Sequence, residues 1–276
     1  MATRSYADYR GTGTRQEQAE TRARQVPVVS REEFDAYWKA NYNVSQRVTA
    51  IGPPGRGKTK LMFRLLKIST STDPKGVKAV VLIGKIKSRD KTVLQAAKDL
   101  NMRITHSWPP RYDPRDRKRR GWILIPLGKP DKDTAARSEN KQLQEQFGKA
   151  IRANYHTTPK KPRITVVDES HQAQVELKLK EDIEAPLMRG RPDNAIWSLI
   201  QRGRFVSYHC YEAENIFIFY DSDDNNQERY SEIGDVDKKE IVAITSKLET
   251  RTIGSGEIIS QCLYMNRSGY MCIIDF

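Results

Sequence analysis

Val48-Thr49-Ala50-Ile51-Gly52-Pro53-Pro54-Gly55-Arg56-Gly57-Lys58-Thr59-Lys60 is the stretch on which the reading of this 276-residue chain turns. An apolar run from Val48 to Ile51 enters a Gly/Pro-rich turn, and helix-like spacing follows in Leu61, Met62, Phe63, Leu65 and Leu66. Strand, loop and helix in that order are what a phosphate-binding loop requires. Glycines at 52, 55 and 57 let successive N–H groups face inward, and the loop delivers phosphates to a helix N-terminus whose amides and dipole favour negative charge. Lys58 then reaches the β- and γ-phosphates and Thr59 ligates Mg²⁺. Gly52, Pro53, Pro54, Gly55, Arg56, Gly57, Lys58, Thr59 and Lys60 form the set expected to contact a nucleoside triphosphate. The competing reading is a Gly/Pro surface turn before an ordinary helix, and it weakens because every fixed position of the motif is matched in context.

A second stretch, Ile164-Thr165-Val166-Val167-Asp168-Glu169, is an apolar strand ending in two acids. In nucleotide hydrolases built on such a loop, the strand beside it presents an Asp to the Mg²⁺ shell, which assigns Asp168 as the second metal ligand beside Thr59. Glu169, one residue further, points toward the γ-phosphate, where a carboxylate orients and deprotonates water for in-line attack. Alone, a strand ending in Asp-Glu often marks only the start of a surface loop. Downstream, Ala195 to Ile200 ends in Gln201-Arg202, where a neutral amide can sense the γ-phosphate or position water, although the same residue also suits a plain polar strand end. Arg189-Gly190-Arg191 reads equally as a solvated basic turn and as an arginine finger, Arg189 or Arg191, facing a neighbouring subunit.

Composition bounds the class. Hydrophobic residues make up 37% of the chain, enough for a buried core in one large α/β domain. Forty-eight Lys+Arg against 35 Asp+Glu leave a net charge of +13, which favours nucleic acid as macromolecular partner, with anionic membrane as the competitor. No run approaches the roughly 18 apolar residues of a membrane span, and the N-terminus lacks the apolar region of a signal peptide. A soluble, cytoplasmic protein without a direct membrane span is expected. Cys210, Cys262 and Cys272 form no C-x-x-C pair, so buried free thiols are the expectation.

Along the chain, residues 1–28 are polar and lack a sustained apolar period, which predicts a flexible basic/polar arm. Residues 29–250 make the ATPase domain. It opens with a capping box at Ser30-Arg31-Glu32-Glu33 before an amphipathic helix carrying Phe34, Tyr37 and Trp38 as packing residues. Val77 to Ile83 reads as a buried parallel strand and Asp90 to Leu100 as a helix; Arg103 to His106 and Trp122 to Leu127 read as strands and Gln142 to Tyr155 as a helix. A helix over Leu179 to Met188, a strand over Ile216 to Tyr220 and a helix from Asn225 into Ile233 complete the alternation. The pattern predicts a mostly parallel sheet flanked by helices. Residues 251–276 read as an extension in which Ile258 to Tyr264 and Tyr270 to Ile274 form a terminal β-hairpin.

The ordered set Gly52 to Thr59, Asp168-Glu169, Arg189-Gly190-Arg191, Gln201-Arg202 and Ala213 to Phe219 followed by an acidic helix resembles the FtsK/HerA superfamily of DNA-pumping ATPases, especially its viral genome-packaging and phage-encoded members. The resemblance spans residues 45–245. It implies a RecA-like (ASCE) P-loop NTPase core with Lys58, Glu169, Gln201 and a trans-acting Arg189 or Arg191 as catalytic residues. It further implies ATP and Mg²⁺ as cofactors, a homo-oligomeric ring, typically hexameric, with DNA in its pore, and a viral capsid or transfer-complex protein as further partner. The compartment would be the host cytoplasm or the virion. Two departures stand out: the segment from Arg202 to Glu212 is short, with Gly203 where a proline is often seen, and the sequence shows no counterpart of the N-terminal membrane domain of the cell-division translocases. Asp168-Glu169-Ser170-His171 also matches the D-E-x-H form of helicases, and a phage assembly and secretion ATPase of the zonula-occludens-toxin-like type is a further alternative. Nucleic acid contact is expected at Pro110 to Arg120, where Arg111, Arg115, Arg117, Lys118, Arg119 and Arg120 outnumber Asp113 and Asp116, with Trp108 and Tyr112 able to stack on bases. Lys160-Lys161-Pro162-Arg163 is a second basic cluster.

Overall fold

A computed structural model of the protein describes residues 14–72, 76–84, 91–126, 135–156, 162–190, 193–234, 236–252, 254 and 258–275. The first half of the chain contributes α1 (Arg15–Ala23), β1 (Val28–Ser30), α2 (Arg31–Asn41), β2 (Val48–Ile51), α3 (Lys58–Thr72), β3 (Lys78–Leu82), α4 (Lys91–Asp99), β4 (Met102–Thr105), β5 (Gly121–Leu124) and α5 (Ala135–His156). The second half contributes β6 (Arg163–Val167), α6 (Lys180–Arg189), β7 (Asn194–Ile200), β8 (Asn215–Phe219), α7 (Asp224–Glu228), α8 (Lys238–Thr245), β9 (Thr250–Thr252), β10 (Ile258–Ser260), β11 (Cys262–Asn266) and β12 (Met271–Asp275).

Ten of these strands form one sheet in the order β1-β12-β11-β8-β2-β7-β6-β3-β5-β4. Its pairings are parallel except those of β11, which runs antiparallel to both β8 and β12. The central strands β2, β6 and β8 are buried along nearly their whole length, as continuous apolar runs in a sheet covered on both faces must be. Side chains alternate between two cores. One packs Leu143 and Phe147 of α5, Ile183 and Leu187 of α6 and Ile241 and Ile244 of α8 on one face; the other packs Phe34 and Trp38 of α2, Leu61, Leu65 and Leu66 of α3 and Val93 of α4 on the opposite face. Phe34 meets Tyr264 edge-on at 4.8 Å and Phe217 at 5.8 Å, so the aromatic stripe of α2 is packing.

Several expectations shift. The strand beside β2 on the β6 side is β7, so the Gln201 strand lies between the phosphate loop and the Asp168 strand. Strand order is a property of the assembled sheet and leaves no mark within either segment. Within the N-terminal arm, Arg15–Ala23 is helical, capped by Thr14 and Glu17 reciprocally, with Ala19 buried and Arg22 3.5 Å from Glu240 of α8. Its low apolar content conceals a narrow contact face. The run 258–264 breaks at Gln261: β10 pairs with β9 in a separate ribbon, while β11 and β12 enter the main sheet and β12 pairs with β1. The helix expected from Asn225 divides into α7 and a 3₁₀ turn at Arg229–Glu232. Asp90, Leu127, Lys160 and Lys161 lie outside the described residues.

Candidate nucleotide site

The C-terminal ends of β2, β6, β7 and β8 meet at one edge, and the segments leaving them build the site. β2 stops at Ile51, whose successor Gly52 donates its N–H to Ile200 O of β7 at 3.1 Å. A Cβ at Gly52 would lie 2.7 Å from Phe219 Cβ at the end of β8, which is the physical reason for glycine there. Gly55 and Gly57 adopt φ of 79° and 93°, and α3 begins at Lys58, so the chain curls through the loop directly into a helix N-terminus.

Lys58 is 5% exposed, and its Nζ donates to Gly52 O and, at 2.7 Å, to Pro53 O. Its ammonium is thereby held across the mouth of the loop. Burial pulls its pKa down to about 8 against the charges of Asp168, Asp221 and Glu169, which hold it up. An ammonium so desolvated gains strongly from an anion arriving beside it. Thr59 Oγ1 donates to Asp168 Oδ1 at 3.3 Å, joining the helix start to the end of β6. A hydroxyl and a carboxylate at this separation form a hard-oxygen pair of the kind Mg²⁺ takes alongside phosphate oxygens. Glu169 sits at φ 61°, a left-handed backbone that costs a non-glycine residue about 1 kcal/mol and recurs at functional sites. Gln201 Nε2 donates to Glu169 Oε1 at 3.1 Å. Lys58, Thr59, Asp168, Glu169 and Gln201 are thus brought together.

The remaining predicted residues divide. Arg56 donates to Thr250 Oγ1 at 2.8 Å and lies 6.0 Å over the Tyr220 ring, Pro54 is exposed on the loop, and Lys60 is exposed on the first turn of α3. Arg189 is exposed at the end of α6, where Leu187 O accepts from Arg47 at the start of β2. Since β2 and β7 run in parallel with Val48 opposite Trp197, Arg189 stands at the opposite strand edge from the loop. Arg191 lies outside the described residues. The basic loop also lies at that far edge: Lys78 at the start of β3 donates to Asp116 O, and Arg120 N to Asn101 O. Asp113 and Asp116 hold it together through Arg115, Arg119 and Arg103. Tyr112 is 78% exposed, but Trp108 is buried edge-on against Trp122 of β5 at 6.0 Å, which corrects its reading as a stacking platform. Arg163 is turned inward, donating to Asn154 Oδ1 at 2.7 Å. Asp221, 6% exposed beyond β8, and Asn226 are polar residues of this edge that the motifs did not include. Their signal in the sequence is only an acidic stretch after a strand.

No family profile and no curated protein matches the sequence. The fold does find similar solved structures. The genome packaging NTPase B204 of Sulfolobus turreted icosahedral virus 2, in complex with sulfate, superposes with a TM-score of 0.54 at 14% identity, over 85% of this chain and 98% of that one. Its complex with ATP-gammaS gives 0.53 at 14% identity over 84% and 97%, and its complex with AMPPCP gives 0.50 at 14% over the same shares. This chain shares with that protein a mixed α/β fold of the RecA-like P-loop NTPase kind, a large mostly parallel sheet flanked by helices. At 14% identity the likeness speaks for the fold. No helix among the described residues is long and apolar enough to cross a membrane.

Proposed function

We propose that this chain hydrolyses ATP and uses the energy to move DNA, as a motor for packaging a viral or phage genome or for transferring a mobile element. The observation that carries the reading is the convergence of Lys58, the Thr59–Asp168 pair and the Glu169–Gln201 pair at one strand edge, on a fold similar to a genome packaging NTPase. The loop amides and Lys58 hold the β- and γ-phosphates, and Thr59 and Asp168 provide oxygens for Mg²⁺, which when bound offsets phosphate charge. Glu169 takes a proton from water as the water oxygen bonds to the γ-phosphorus and the bond to the β,γ-bridging oxygen breaks, leaving ADP and phosphate. Gln201 fixes the carboxylate or the water in line.

Two further parts of the reading concern assembly. Arg189 stands at the strand edge opposite its own loop, so a finger role for it requires a neighbouring subunit's site, as a ring would provide, and Arg191 is the alternative finger that the resemblance implies. DNA contact through exposed Arg111, Arg115, Arg117 and Lys118 suits the +13 net charge and needs no base reading. A capsid or transfer-complex protein would dock the ring, in the host cytoplasm or the virion.

The test is ATP turnover by the parent protein, Lys58→Ala and Glu169→Gln, with and without duplex DNA at low and moderate salt. Turnover raised by DNA in the parent and absent in both variants is expected. A rate indifferent to DNA would remove the motor reading, and a parent without turnover would remove the ATPase itself.

A further inference from the structure

Strand β8 leaves the sheet beside the P-loop, and its last residues reach across to the turn that follows β7. Asp221 Oδ2 accepts from Asn226 Nδ2 at 2.9 Å, and its Oδ1 from the Asp223 N–H at 3.0 Å, while Gln227 Nε2 donates to Asp221 O at 2.6 Å. Asn226, 9% exposed, then accepts the Gly203 N–H on Oδ1 at 3.0 Å. Gly203 is closed in on its other side, since a Cβ there would lie 2.3 Å from the Tyr211 hydroxyl. The turn Gln201-Arg202-Gly203 is therefore held at both ends: Gln201 bonds Glu169 at the site, and Gly203 bonds Asn226 beside the P-loop.

Only an amide fits this place. It must donate toward the Asp221 carboxylate and accept from a backbone N–H, and the two ends of an asparagine side chain do both. An apolar replacement leaves a buried N–H and a buried carboxylate oxygen short of a partner, and an aspartate sets two carboxylates face to face. A proline at 203 would have no N–H to offer to Asn226.

We propose that Asp221 and Asn226 are positioning residues that lock the turn after β7 to the flank of the P-loop, so that Gln201 meets Glu169 in register with the bound triphosphate. The inference rests on the ATPase reading above. Neither residue touches the reacting atoms; both act through Gly203 and the turn.

Steady-state ATP turnover, binding of a nonhydrolysable ATP analogue and thermal melting of Asn226→Ala, Asn226→Asp and the exchange Asp221→Asn with Asn226→Asp test it. Displacing a group that aligns the reaction by the order of 1 Å costs up to about a hundredfold in rate, so kcat of each single variant should fall by about tenfold to a hundredfold. Analogue affinity should stay within about threefold of the parent, because the loop itself is untouched. The exchange restores a donor opposite an acceptor and should bring kcat back to within about threefold. A folded single variant whose kcat lies within about twofold of the parent would overturn the inference and leave the ATPase reading standing. So would a loss confined to KM. If neither single variant folds, a folded exchange protein still about a hundredfold slow overturns it. A parent that turns over no ATP overturns both readings together.

Discussion

Replacing Gly52 by alanine tests whether the loop is as tightly set against β8 as the structure shows. The added Cβ would sit 2.7 Å from Phe219 Cβ and 3.5 Å from Phe219 Cα. Carbon atoms in contact prefer about 3.5–4.0 Å, so loop and strand must part by about 0.8 Å. Neither can yield as the end of a flexible side chain can, because Ile51 and Ile218 are register partners one residue before the clash. Overpacking on this scale costs about 1–3 kcal/mol. The φ of 150° at Gly52 adds about 1 kcal/mol of backbone strain once a side chain is present. A chain of this size should then melt about 5–10 °C lower. The retreat also shifts the loop against Asp168 and Gln201, and turnover should fall by about a hundredfold. Gly55 provides the comparison: its φ is 79° and nothing lies within 4 Å of a Cβ there, so Gly55→Ala carries strain of about 1 kcal/mol without a clash. Scanning fluorimetry and steady-state ATP turnover measure both variants. The reasoning fails if Gly52→Ala melts and turns over ATP as the parent does, or if Gly55→Ala is the worse of the two.

Other consequences can be checked on the same protein. Glu169→Gln should lower kcat by about a hundredfold to a thousandfold while the nucleotide still binds, so a large loss of affinity in titration would argue against a role confined to the water. Burial raises the Glu214 carboxyl, but hydrogen bonds from Arg47 and its charge outweigh this and hold it below the usual range. Its folded-state pKa is depressed, so the stability it contributes is present above the ordinary value of 4.5 and is lost as pH falls through the folded pKa. Glu214→Gln should therefore destabilise by about 1–3 kcal/mol at pH 7 and flatten the acid arm of the stability curve, read from urea melts at a series of pH values. Trp108→Ala should cost about 3–5 kcal/mol of stability, as truncation of a buried indole does, while exposed Tyr112→Ala leaves melting unchanged. Removing Arg111 and Arg117 together should lower the slope of log DNA affinity against log salt by about 2, and an unchanged slope would move the DNA contact elsewhere.

What the sequence reveals here follows the range over which each feature is written. The P-loop is legible because its chemistry is contiguous: the glycines, Lys58 and Thr59 act within one turn of chain, and the flanking apolar residues announce the strand and helix that fix them. Asp168-Glu169 and Gln201 are legible for the same reason, each as a polar end on an apolar run. Their mutual arrangement is not local. That Gln201 reaches Glu169 depends on β7 lying between β2 and β6, and neighbouring strands in the sheet need not be neighbours in the chain. The Asp221–Asn226 pair is hidden more deeply, since a lone aspartate and a lone asparagine after a strand look like ordinary turn formers until Gly203 is brought against them. α1 escapes for a related reason, because its stability comes from Thr14, Glu17 and a contact with α8 rather than from an apolar stripe.

The basic loop shows why composition alone misjudges a surface. Trp108 and Tyr112 are equivalent aromatic residues beside a run of arginines in the sequence, yet one fills the space over Trp122 and the other faces solvent. The charges divide in the same way. Arg103 lies 2.8 Å from Asp116, Arg115 3.0 Å from Asp113, and Arg119 within reach of both acids, so part of the local positive excess holds the loop in shape. Exposed pairs of this kind contribute little stability each, but a carboxylate shared between guanidinium groups fixes where the remaining cations point. Asp113→Asn should therefore weaken polyanion binding even though it raises the net charge, because the loss of shape outweighs one added unit of long-range attraction at ordinary salt. Electrophoretic shift assays at low and moderate ionic strength decide the matter: tighter binding by Asp113→Asn at both would mean that the loop binds through its total charge alone.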